Sequence, residues 1–127
     1  MQSKTKNILI TGCLLMALAV GIGAFGAHGL KETLLQNEKL EVFETGVKYH
    51  FYHAISILII GILSIHIQNR WIHRSFYMML TGIIFFSVSL YVLAITNTPI
   101  LGAITPIGGL LFLVGWVFLV LGIKKGN

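Results

Sequence analysis

Histidine is the residue type in this 127-residue chain with most scope for chemistry, and three of its five histidines, His28, His50 and His53, fall in or beside one connecting stretch. Imidazole nitrogens bind zinc or copper, and two on separate helices can hold a haem. His50 and His53 are three residues apart, whereas the HExxH zinc signature needs a spacing of four with a glutamate between, so their spacing alone does not specify a metal. On a helix at about 100° per residue, Val42, Gly46, Tyr49, His50, His53, Ile57, Ile60 and Ser64 form one stripe while Glu41, Glu44 and Lys48 point away. Both histidines are thus expected to face inward, and His28 could join them from the end of the first apolar segment. The competing expectation is that these imidazoles only hydrogen-bond to neighbouring carbonyls, as buried polar groups must. Ser56 lies one turn from His53, but adjacent turns of one helix supply neither an orienting acid nor an oxyanion hole. A GxGxxG pattern at Gly21, Gly23 and Gly26 sits inside an apolar segment with no strand before it, and reads as helix packing.

The elements that must position these groups are four long apolar segments, near residues 8–27, 51–67, 76–95 and 103–123. A helix needs about 20 apolar residues to cross a hydrocarbon core of roughly 30 Å, and these segments are close to that length. The chain is 56% hydrophobic and only 10% charged, far from a soluble domain. The expected fold is an all-α membrane protein: a single integral membrane domain over 1–127, a four-transmembrane-helix bundle with an amphipathic outer helix leading into the second span. The net charge of +5 comes from cations scattered around the spans, with no basic stripe carrying interleaved aromatics, which argues against nucleic acid. Cys13 is the lone cysteine and can form no intrachain disulfide. The first segment is too long for the core of a signal peptide, and Ile10-Thr11-Gly12-Cys13 begins the apolar stretch where a lipoprotein cleavage box should end it.

Orientation is legible in the connections. Lys4, Lys6, Arg70, Arg74, Lys124 and Lys125 all fall on one side of a four-span chain, whereas Lys31, Lys39 and Lys48 on the other are offset by Glu32, Glu38, Glu41 and Glu44. The positive-inside rule then places both termini in the cytoplasm of a bacterial plasma membrane protein. Packing should use small residues, because lipid gives little hydrophobic drive between helices. Gly108, Gly115 and Gly122 recur every seven residues, Gly82 and Ser89 do so in the third span, Ala54 and Gly61 in the second, and Ala19, Gly23 and Ala27 every four in the first. The same stripes would serve a homo-oligomer equally well.

Residues 28–50 hold all four acidic side chains. A helix is expected from Asn37, which can cap it, with Glu38 and Glu41 near its positive end and either continuity into the second span or a bend near Gly46.

Gly23-Ala24-Phe25-Gly26-Ala27-His28-Gly29-Leu30, then Phe43-Glu44-Thr45-Gly46-Val47-Lys48-Tyr49 and Tyr52-His53-Ala54, resembles the small bacterial membrane family of unknown function 423, also called UPF0382, with relatives of transmembrane protein 256. The resemblance covers nearly the whole chain and implies a four-span protein without an established activity. It places His28 and His53 at motif histidines and His50 where glutamine is more usual, which favours a two-histidine or structural role. Proton-coupled export is not expected, because it needs an ionisable group in the path and no carboxylate, lysine or arginine lies within the four segments. A channel would have to be lined by Thr11, Ser56, Ser64, Thr81, Ser87 and Ser89, hydroxyls that more often bond back to their own helix. The preferred expectation is a non-catalytic protein that binds membrane lipid, a small amphipathic ligand or a membrane protein partner, with no cofactor. His28, Tyr49, Tyr52 and His53 would make the polar contacts, and Lys48 would be available to an anionic headgroup. A metal- or haem-binding redox protein and a small oligomeric channel or transporter remain the alternatives.

Overall fold

A computed structural model describes residues 1–127. Its elements are α1 (Ser3–Ala27), a short α2 (Lys31–Gln36), α3 (Leu40–His66), α4 (Arg70–Ile83), a π turn (Ile84–Val88), α5 (Ser89–Thr96), a 3-10 turn (Pro99–Ala103) and α6 (Thr105–Lys125). The segment Arg70–Thr96 is one continuous helix of 27 residues through the π turn, and four helices in all are long and apolar enough to span a membrane. The chain is therefore an all-α, multi-span membrane protein. Each helix overruns its apolar segment because polar residues at the interface continue the backbone hydrogen bonding that lipid enforces inside.

The four spanning helices form two close pairs, α1 on α3 and α4 on α6, joined where α3 packs against α4. Glycines make both pairings possible. A Cβ on Gly61 would lie 2.5 Å from Leu9, one on Gly82 2.5 Å from Phe112, and one on Gly122 2.7 Å from Ile72. A Cβ on Gly115 would lie 3.2 Å from the Met79 side chain, and one on Gly23 3.3 Å from Val47. Gly108 sits directly on the backbone of Phe86 in the π turn. The α6 stripe is thus consumed inside one chain. Ile8, Ile57, Ile60, Ile72, Phe76, Met79, Ile83, Phe112 and Leu119 form the main core.

One end of the molecule gathers both termini and the α3–α4 connection. Thr5 and Ser64 share a hydrogen bond of 3.0 Å between their hydroxyls, the Asn127 amide donates to the His66 carbonyl at 2.8 Å, and the Asn69 amide donates to the carbonyls of Gly122 and Gly126 at 2.9 and 2.7 Å. The Asn69 side-chain oxygen also caps α4 by accepting from the amides of Trp71 and Ile72.

The other end departs from expectation. Asn37 does not start a helix; it ends α2, and its amide reaches across to the carbonyls of Ala94 and Ile95 at 3.0 and 3.2 Å. Reversal into α3 falls to Glu38 at φ 54, where the Lys39 amide bonds back to the Leu34 carbonyl and the Glu38 amide to Leu35. This is the helix-ending motif that glycine usually closes. The outer helix expected from Asn37 is α3, which starts three residues later at Leu40 and runs unbent through Gly46 into the membrane; α2 is an additional short helix before it that tucks Leu34 against Phe43, Tyr91 and Ala94. Gly46 gives no bend because its bare Cα is occupied by contact, with a Cβ there only 2.9 Å from the Tyr91 ring.

Candidate functional site

α3 controls the placement of the polar residues. It is 27 residues long, about 40 Å at roughly 1.5 Å per residue, and His53 lies at its midpoint. The imidazole is buried, 5% exposed, and lies just inside the start of the second apolar segment, about a turn and a half beyond Lys48. It is held on two sides. Nδ1 lies 2.7 Å from the Tyr49 carbonyl, which can only accept, so Nδ1 carries the proton in this arrangement. The ring stacks on Phe112 of α6 with centroids 3.4 Å apart and planes 7° from parallel, and meets Trp116 edge-on at 6.3 Å. Nε2 of neutral His53 is then an acceptor. It has no hydrogen-bond partner in the protein, yet it is not an enclosed atom, so it opens on the space beside it.

That space is a lateral cleft of about 550 Å³ between α3, the π turn and α6. Tyr49 and Tyr52 line it from α3, Phe86 from the π turn, and Gly109, Phe112, Leu113 and Trp116 from α6. Tyr49 packs on Phe86 with centroids 4.5 Å apart. An apolar, aromatic cleft with one convergent hydrogen-bond acceptor is the usual construction of a small-molecule site.

The other expected site residues go elsewhere. Lys48 lines a separate groove of about 180 Å³ between α1 and α3, with Gly23, Gly26, Phe43 and Glu44. His28 caps the end of α1 and is exposed. Gly26 packs on Phe43, which sets His28 level with the first turn of α3, ten residues or roughly 15 Å along the axis from His53. His50 is buried and turned to α5, with Nδ1 2.9 Å from the Tyr91 hydroxyl. No three His, Cys, Asp or Glu side chains are grouped to hold a metal. The expected convergence of His28, His50 and His53 does not occur, because α3 continues straight inward while α1 ends at its outer turn.

The serine–histidine pair is likewise not formed: the Ser56 hydroxyl donates to the Tyr52 carbonyl at 2.7 Å. Thr81 and Ser89 also bond to carbonyls of their own helices. The aromatic wall of the cleft was absent from the expected site. Its one sequence signal is Trp116, which lies too deep in the fourth segment to serve as an interfacial anchor.

Fold and cleft together define a small multi-span helical membrane protein with a polar acceptor set into a lateral aromatic cleft. The family model described as "Protein of unknown function (DUF423)" matches residues 22–109, and the chain belongs to that family. It is 48% identical over 122 residues to a UPF0382 membrane protein of Staphylococcus saprophyticus, covering 94% of this chain and 98% of that one. Identity to the relative from Staphylococcus haemolyticus is 45%, over 94% of this chain and 97% of that one. It is 41% to the UPF0382 membrane protein YwdK of Bacillus subtilis, over 94% and 98% respectively. No solved structure matches the chain.

Proposed function

We propose that the protein is a non-catalytic membrane binding protein that takes a small amphipathic molecule from the bilayer into the lateral cleft. The observation that carries this reading is the open Nε2 of His53 at the midpoint of a membrane-spanning helix, held in one orientation by the Tyr49 carbonyl and the Phe112 ring. An ionisable side chain buried within a spanning helix is costly unless it has a task. The occupant needs an apolar body to lie against Phe86, Leu113 and Trp116 and a hydroxyl or similar donor for Nε2.

Trp116 reports occupancy directly in a Trp71→Phe background, since these are the two tryptophans of the chain. Native mass spectrometry of protein released from mild detergent should show a retained adduct, and long-chain alcohols added to the protein should shift Trp116 emission. His53→Ala removes one hydrogen bond and is expected to weaken binding about tenfold. Gly109→Leu should abolish it, because a Cβ at Gly109 meets Phe86 only at 3.8 Å and the added side chain would grow into the cleft without disturbing the fold. Unchanged binding in both variants would sink the reading.

The same proposal includes orientation, with both termini cytoplasmic in the plasma membrane. The support is the excess of Lys and Arg at the end that gathers the termini. In intact cells a membrane-impermeant maleimide should label Glu32→Cys, while Ser3→Cys should react only after permeabilisation. The reverse pattern would invert the topology.

A further inference from the structure

Two helix N-termini meet at the end that gathers the termini, and both carry cations where the helix dipole favours anions. α1 has Lys4 and Lys6 near its start and no acidic residue in its first turn; α4 begins with Arg70 and Arg74 and has none either. Each helix start is the positive end of its dipole, so these side chains sit where cations are disfavoured. Arg70 and Arg74 also stand four apart on one helix, a spacing at which like charges repel. Both guanidiniums are nevertheless held at one ring, 5.0 and 5.1 Å from the centroid of Trp71. No acidic side chain relieves this, since all four lie between positions 32 and 44, at the opposite end.

Between α1 and α4 these groups line a hollow of about 310 Å³, with Lys4, Arg70, His73 and Arg74 as its polar wall and Ile8 and Phe76 as its apolar one. A second hollow of about 570 Å³ shares Lys4, Arg70 and His73 and is otherwise polar, lined by residues such as Ser3, Gln68 and Asn69. The apolar wall lies on the side that continues into the spans. The site is therefore graded from charge to hydrocarbon over a single turn of helix.

We infer that this hollow is a binding site for the phosphate headgroup of an anionic phospholipid, held by Lys4, Arg70 and Arg74, with the start of an acyl chain against Ile8 and Phe76. Phosphate oxygens match the planar donors of arginine, and basic pockets between spanning helices suit anionic headgroups. A bound phosphate removes the repulsion between Arg70 and Arg74 and lies near the start of α1, which has no side-chain cap. The inference is independent of the lateral cleft, since it uses different residues, at the end that gathers the termini.

The test is native mass spectrometry of the purified full-length protein in mild detergent, with equal amounts of phosphatidylglycerol and phosphatidylcholine of identical acyl chains, and separately with inorganic phosphate. Phosphatidylglycerol should be retained over phosphatidylcholine by about tenfold or more. The Lys4→Gln/Arg70→Gln/Arg74→Gln variant should lose that preference; all three side chains are exposed, so the fold should tolerate the change. Lys124→Gln/Lys125→Gln removes two cations from the same end outside the hollow and should leave the preference intact. Equal retention of the two lipids, or a preference surviving in the triple variant, would mean that the cations set topology only and would overturn the inference. Inorganic phosphate binding as well as phosphatidylglycerol would overturn the lipid assignment and make the site one for a soluble anion.

Discussion

Gly108→Ala is expected to destabilise the protein by about 3 kcal/mol, at the top of the usual range for overpacking, whereas Gly21→Ala should be neutral or stabilise it by up to about 1 kcal/mol. Both glycines lie in spanning helices, so helix propensity alone gives them the same sign. Their surroundings differ. A Cβ at Gly108 would meet the backbone nitrogen of Phe86 and lie 2.7 Å from the Phe85 carbonyl carbon, while one at Gly21 meets nothing within 4 Å. A clashing side chain can rotate away, but the π turn at Ile84–Val88 is backbone and can yield only by moving the whole of α5 relative to α6. Measured by cooperative unfolding in mixed detergent, the two substitutions should therefore separate by several kcal/mol. Equal effects would mean that α6 does not approach the π turn this closely.

That contrast marks what the sequence could and could not reveal. The four spans were legible because a hydrocarbon core imposes a minimum apolar length, and seven-residue spacing identified Gly108, Gly115 and Gly122 as one seam. Spacing could not say what the seam would meet. Its partner for Gly108 is a π turn, an irregularity of five residues in a stretch, Ile84-Phe85-Phe86-Ser87-Val88, with no proline or glycine to announce it. The reversal at Glu38 was hidden for a similar reason: the left-handed position that ends α2 is occupied by a residue with no glycine signature. Asn37 looked like a helix start because asparagine caps helices well, but its amide is drawn instead to the carbonyls at the end of α5, a tertiary contact across 57 residues.

The candidate site was half legible for a geometric reason. The period of α3 put Tyr49 and His53 near one face, since both belong to one helix and local periodicity governs them. Phe86, Phe112 and Trp116 arrive from other helices, and single-sequence periodicity carries no information about which helices become neighbours. Periodicity also placed His50 and His53 on one stripe, yet three residues at roughly 100° each leave the two about 60° apart around the helix. That angular offset is enough to send His53 to α6 and His50 to α5.

His50 supplies the second large effect. Tyr91→Phe should cost about 1–3 kcal/mol, because it strips the Nδ1 partner from a buried imidazole. His50 is 3% exposed, and its Nε2 already lacks a hydrogen bond of normal geometry although the Leu15 backbone of α1 lies against the ring. After Tyr91→Phe neither ring nitrogen would be satisfied, in a part of the molecule where water cannot readily substitute. His50→Leu should cost a similar amount by orphaning the Tyr91 hydroxyl, which is itself buried beside Phe43. The double variant removes both polar groups and fills the site with apolar atoms, so its cost should be well below the sum of the two single changes. His50→Gln should retain most of the stability, because an amide can still bond the Tyr91 hydroxyl. The measurement is a double-mutant cycle in mixed detergent, and a coupling energy indistinguishable from zero would mean that the 2.9 Å contact does not hold α3 to α5.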